Sequence, residues 1–90
     1  MSVKVKLSPI LARLVGGQEV IEVRGSTTGE CLRNLEEQFP SIKQESRDKR
    51  GWLAAHYAIF VNSKYAYPKE LSTPVKSGDD IEIGIIANGG

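Results

Sequence analysis

Thr27-Thr28-Gly29-Glu30-Cys31-Leu32-Arg33-Asn34-Leu35-Glu36-Glu37-Gln38-Phe39-Pro40, residues 27–40, is the stretch on which the fold assignment turns. Thr27 and Glu30 have the spacing of a capping box, in which a hydroxyl satisfies one orphan amide and a carboxylate reaches back to another, so a helix begins near Thr28. Cys31, Leu32, Leu35 and Phe39 recur at helical intervals, while Arg33, Asn34, Glu36 and Glu37 occupy the other face. One apolar stripe results, suited to packing on a sheet. Pro40 closes the helix.

The flanking sequence supplies the sheet. Val3, Val5 and Leu7 alternate with Lys4 and Lys6, the period-two pattern of a strand with one buried and one wet face. Ser8 and Pro9 open a short helix with Ile10, Leu11, Leu14 and Val15 as its apolar stripe, and Gly16-Gly17 end it. Val20, Ile21 and Val23, mixed with Glu19, Glu22 and Arg24, read as a second strand close enough to the first for a hairpin-like pair. Residues 41–51 are polar and aperiodic and are read as a loop containing at most a helical turn. Residues 57–61 are β-branched and aromatic; Asn62-Ser63 supplies turn chemistry before a short returning strand at Tyr65, Ala66 and Tyr67, which Pro68 interrupts. A last strand carries Ile81, Ile83 and Ile85 toward the core, alternating with Glu82 and Gly84. The expected architecture is α+β: a mixed four- to five-stranded sheet with one main helix across one face. Residues 1–86 form one domain and residues 87–90 a tail.

Composition narrows the function. At 90 residues the chain is one domain, able to bury roughly two-thirds of its unfolded surface. Twelve basic residues against eleven acidic ones leave a net charge of +1, too little for general attraction to nucleic acid or membranes. One cysteine, Cys31, and one histidine, His56, exclude an intramolecular disulfide and leave too few soft ligands for a closed zinc site or an iron–sulfur cluster. No apolar run reaches membrane-spanning length and the N-terminal segment lacks a signal-peptide core, so a cytoplasmic location is expected.

The final strand ends a few residues before the last position, Gly90. From Ile86 the segment Ala87-Asn88-Gly89-Gly90 reaches roughly 15 Å if extended, enough to enter a deep site on another protein. Glycines lack a β-carbon, so Gly89 and Gly90 pass a constriction that rejects side chains. The alternative is an ordinary frayed end. A free carboxylate is a poor electrophile and needs activation, typically adenylation, before sulfur or an amine can attack it.

Thr73-Pro74-Val75-Lys76-Ser77-Gly78-Asp79-Asp80-Ile81-Glu82-Ile83 with the ending Ala87-Asn88-Gly89-Gly90 resembles the closing pattern of the MoaD/ThiS sulfur carriers. So does Thr27-Thr28-Gly29-Glu30 opening a helix that closes with Phe39-Pro40, and so does Val61-Asn62 before the late turn. The resemblance spans nearly the whole chain, with residues 41–56 covered least. It implies a ubiquitin-like β-grasp fold and a cycle in which Gly90 is adenylated, becomes a thiocarboxylate and donates sulfur in molybdopterin, thiamine or cysteine synthesis. The implied partners are a ubiquitin-activating-enzyme-like adenylating enzyme and a sulfur-accepting biosynthetic enzyme. No cofactor is bound by the chain; ATP and a sulfur donor are used by the partner. Ile85 and Ile86 stand where the family often has prolines, and Asn88 stands where alanine is usual, so the pathway is left open. Two other readings stand beside the carrier: a ubiquitin-like modifier joined to lysines through Gly90, and a non-covalent β-grasp interaction module.

No nucleophile, base and orienting group can be assembled, so the chain is read as a carrier and not an enzyme, though countable as the small subunit of a molybdopterin synthase-type enzyme. If Ile81, Ile83 and Ile85 face the core, Ile86 faces the other way, and Phe60 joins it if Ile59 and Val61 point inward; the pair is a candidate docking patch or simply two surface apolar residues. Cys31 lies in the helical stripe and reads as core. His56 reads as structural or surface. Lys43, Arg47, Lys49 and Arg50 near Trp52 are interrupted by Glu45 and Asp48 and read as a solvated loop rather than an RNA contact.

Overall fold

Val3, Val5 and Leu7 are buried and Lys4 and Lys6 exposed in β1 (Val3–Leu7), as period-two alternation requires. The computed structural model describes residues 2–50 and 57–85. After β1 come α1 (Pro9–Arg13), β2 (Val20–Val23), α2 (Thr28–Gln38), α3 (Pro40–Ser46), β3 (Tyr57–Val61), β4 (Lys64–Tyr65) and β5 (Asp80–Ile85). The strands form one mixed five-stranded sheet in the order β2-β1-β5-β3-β4. Only β1 and β5 are parallel, with Val5 opposite Ile81 and Leu7 opposite Ile83. The pairs β1–β2, β3–β5 and β3–β4 are antiparallel.

The core lies between one sheet face and the helices. Val3, Val5, Ile21, Val23, Tyr57, Ile59, Ile81 and Ile83 meet Cys31, Leu32 and Leu35 of α2. Each fully buried Ile or Leu contributes roughly 1.5–3 kcal/mol, so this layer dominates stability. Helix α2 starts as its sequence demands. The Thr27 side chain accepts from the Glu30 amide at 3.2 Å, and the Glu30 carboxylate reaches back to the Ser26 amide at 2.8 Å and its hydroxyl at 2.9 Å. These two bonds from Ser26, the amide first, hold the Glu30 carboxyl below the ordinary range. The same helix end is sewn to the chain leading into β5. Gly29 donates to the Leu71 carbonyl, Thr28 to that of Thr73, and Val75 to that of Ser26, all within 3.0 Å.

Several expectations change. Residues 40–46 form helix α3 instead of a loop. Pro40 both ends α2 and occupies the first turn of α3, and Phe39 at φ −132°, ψ 83° caps both. Its single core residue, Ile42, gave the sequence no periodicity to show, and the helix is held by polar bonds instead. Arg47 bonds Glu36 through Nε at 2.7 Å and Nη2 at 3.1 Å, and the Tyr57 hydroxyl donates to Glu45 at 3.0 Å. In α1 and the turn after it, Leu11, Ala12 and Val15 are buried while Ile10 and Leu14 are 47% and 39% exposed, a narrower stripe than the four residues expected. Ser8 precedes α1 without a side-chain cap bond. Gly16 and Gly17 end this turn as expected at φ 74° and 86°, with the Gly17 amide on the Ala12 carbonyl. The returning strand is Lys64–Tyr65, earlier than Tyr65 to Tyr67. Ile85 is 41% exposed instead of joining the core: it pairs with Tyr57 at the end of β5, two pairs past the buried Ile83 and Ile59.

A β-carbon at Gly29 would overlap the Leu71 carbonyl oxygen, to which Gly29 is hydrogen-bonded. Gly29→Ala is therefore expected to lower the unfolding free energy by roughly 1–3 kcal/mol, seen as a lower urea midpoint; an unchanged midpoint would show that the 71–75 strand of chain yields freely. A second expectation concerns alkali. Burial first, and the bond to Glu45 second, push the Tyr57 phenol up to about 12. The folded chain then keeps a proton that the unfolded chain releases near pH 10. Stability is full below pH 10 and falls by roughly 1.4 kcal/mol per pH unit as pH rises toward 12. Urea titrations at stepped pH should show this slope in the native chain and a shallower one in Tyr57→Phe, where only the raised Cys31 thiol still contributes in the same direction.

Candidate functional site

Residues 86–90 follow β5 directly in sequence, so β5 is the root of the expected reactive tail. Ile86, Ala87, Asn88, Gly89 and Gly90 lie outside the described residues, as do His56, Trp52 and Gly51. β5 is the central strand of the sheet, paired with β1 on one edge over Asp80–Ile83 and with β3 on the other over Ile81–Ile85. Ile81 and Ile83 are 0% and 1% exposed, which fixes the strand vertically as the ladders fix it laterally. A strand held in this way resists displacement, because slipping by one residue exchanges its core and solvent faces.

The start of β5 is fixed by Asn62. Asn62 and Ser63 have φ of 50° and 70° and form the two-residue β3–β4 turn, which favours Asn because both central residues are left-handed. The Asn62 amide bonds the Asp80 carbonyl at 2.9 Å, its side-chain oxygen accepts from the Asp80 amide at 3.0 Å, and its side-chain nitrogen donates to the Asp79 carboxylate at 3.2 Å. Asp79 also accepts from the Lys76 amide at 2.9 Å. These bonds, Lys76 first and Asn62 second, hold the Asp79 carboxyl below its usual range. Val61-Asn62 and Gly78-Asp79-Asp80 are thus one polar latch.

Phe60 is half-buried on the sheet face away from the helices, beside Gly84 and opposite Tyr65, with ring centroids 5.4 Å apart. Tyr67 stacks on Tyr65 at 5.8 Å, and the two tyrosines are 64% and 52% exposed respectively. Strand registers align Val20, Lys6, Glu82, Phe60 and Tyr65 in one row across this face. The face is charged over β1 and β5 and aromatic over β3 and β4. Sequence reading found Phe60 but missed Tyr65 and Tyr67 as its neighbours. The Tyr-x-Tyr spacing after a tight turn was the available signal, since it places both rings on one side of an extended chain.

Cys31 is 0% exposed in the α2 stripe, where burial first and Glu30 second push its thiol up. A sulfur so placed favours the inert thiol over the nucleophilic thiolate. Among the described residues no cluster of three or more His, Cys, Asp or Glu is placed to hold a metal ion. None of their helices is long and apolar enough to cross a membrane. The basic run is partly neutralised, with Arg47 on Glu36 and Arg50 on Asp48.

The ThiS family model matches residues 5–90. No curated protein matches the chain. Among solved structures, a chain of the Amycolatopsis orientalis BexX/CysO complex is similar at 28% identity and TM-score 0.83, covering 98% of this chain and 99% of that one. Mycobacterium tuberculosis CysO is similar at 28% identity and TM-score 0.84, covering 93% and 98%. The small archaeal modifier protein 1 (SAMP1) of Methanosarcina acetivorans is similar at 25% identity and TM-score 0.86, covering 99% and 96%. With its mixed five-stranded sheet, its helix layer and a family match over nearly its whole length, the chain belongs to the ThiS family of ubiquitin-like β-grasp proteins.

Proposed function

We propose that the chain is a sulfur carrier whose working group is the carboxylate of Gly90, presented by residues 87–90 from a rigid domain. The observation that carries the reading is the placement of β5: a central strand, paired with β1 through Ile83 and with β3 through Ile85, followed in sequence within five residues by Gly89-Gly90. Family membership through residue 90 supports it. In the proposed cycle the Gly90 carboxylate attacks the α-phosphorus of ATP on a partner adenylating enzyme and pyrophosphate leaves; a sulfide-level nucleophile (HS⁻) from a donor then attacks the acyl carbon, forming the C–S bond as the C–O bond to AMP breaks. The resulting thiocarboxylate gives its sulfur to a biosynthetic enzyme of molybdopterin, thiamine or cysteine synthesis. The chain supplies no catalytic group and acts as a co-substrate in the cytoplasm.

Half-buried Phe60 and the exposed rings of Tyr65 and Tyr67 support docking of these partners on the sheet face away from the helices. Asn88 in place of a small residue makes the tail bulkier just before the glycines, which selects for a partner with room there. A second reading, conjugation of Gly90 to lysine amines, is favoured by the likeness to SAMP1, a modifier by its name.

Intact-protein mass spectrometry of the chain from its own cells is expected to show a species in which sulfur replaces one oxygen, mapped to Gly90 and absent when Gly90 is deleted. Reductant-resistant adducts on other proteins' lysines would support the modifier reading instead. Neither species, with a cognate adenylating enzyme, ATP and a sulfur donor supplied, would overturn both and leave a non-covalent module.

A further inference from the structure

On the helix side of the molecule, away from the aromatic face, a cavity of about 370 Å³ is lined by Gly29, Arg33, Glu36, Lys43, Arg47 and Leu71. Three cations share it with one carboxylate. That carboxylate, Glu36, is 8% exposed and already holds Arg47 in a two-pronged bond. Arg33 from α2 and Lys43 from α3 are both exposed, and neither forms an ion pair among the described residues. Glu30, one turn before Arg33, is bonded to Ser26, and the Arg33 charge is the least of the influences on its carboxyl.

Two positive charges therefore line one cavity whose single carboxylate is already engaged, and an anion between them is attracted by both. The convergence is a product of the fold. Lys43 approaches Arg33 only because residues 40–46 form a helix that the Glu36–Arg47 bond ties to α2. A guanidinium fork beside a mobile ammonium suits an anion with several oxygens and two charges, and both residues donate charge-assisted bonds. The wall at Leu71 is apolar, and Gly29 adds no side chain. We infer that this cavity binds a phosphomonoester, its phosphoryl oxygens on Arg33 and Lys43 and its organic group against Leu71. The site uses none of residues 86–90 and does not depend on the carrier reading.

The test is a two-dimensional amide NMR titration of the full chain with inorganic phosphate, phenyl phosphate and benzoate, at an ionic strength held constant with sodium chloride. Phenyl phosphate is expected to bind tightest and to shift the amides of Gly29, Arg33, Lys43 and Arg47. Arg33→Gln and Lys43→Gln, both at exposed positions, should each weaken it by roughly fivefold or more without moving the urea midpoint. Shifts scattered over the surface, affinity unchanged in both variants, or benzoate binding as tightly as phenyl phosphate would overturn the inference.

Discussion

The parallel pairing of β1 with β5 is the constraint on which the rest of the structure depends. It joins the beginning of the chain to its end, so every other element must fit within the crossover. Closing so long a loop carries an entropy cost that grows only slowly with its length, and burial of Val3, Val5, Ile81 and Ile83 at 0–1% exposure offsets it. A parallel pair also needs a crossover that covers the sheet, and α2 supplies that cover with Cys31, Leu32 and Leu35. The same pairing places the last strand in the middle of the sheet. A strand at the edge would have left the chain's final segment on a weaker mount.

Several residues that carry the family resemblance have separable physical tasks around this pairing. Thr27 and Glu30 start α2; Thr28 and Gly29 anchor its first turn to residues 71–73. Asn62 adopts the left-handed turn and uses both ends of its amide on Asp79 and Asp80. All of them bear on the chain that enters β5, which explains why weak individual motifs combine into a specific pattern. Each removes one way in which the last strand could shift.

Much of the fold was legible because its signals were local and periodic. Alternation marked β1 and β5, and the capping box with a helical stripe marked α2. What escaped had no period to read. Helix α3 carries one core residue, Ile42, and is held by the Glu36–Arg47 and Glu45–Tyr57 bonds, whose partners are eleven and twelve residues apart in the chain. Ile85 continues the alternation of Ile81 and Ile83, yet alternation says only which face a side chain takes and not whether anything covers that face. Ile10 and Leu14 in α1 make the same point on a helix. Of the candidate site, the tail glycines and Phe60 were readable as residue types and the Tyr65–Tyr67 pair as a spacing, whereas the juxtaposition of Tyr65 with Phe60 required the cross-strand register.

The burial of Cys31 bears on what chemistry the domain can do. Sulfur handling by a protein requires either a reactive thiolate or another group able to bear sulfur. The single thiol is sealed beneath Gly25, where even a β-carbon on that glycine would sit 2.7 Å from Sγ, and its ionisation is opposed by burial and by Glu30. Exposing it means opening the core beneath the first turn of α2, at a cost comparable to a large part of a small domain's stability. A persulfide relay through the folded domain is thereby disfavoured on energetic grounds. Sulfur carried by this domain must therefore sit on a group other than its core thiol.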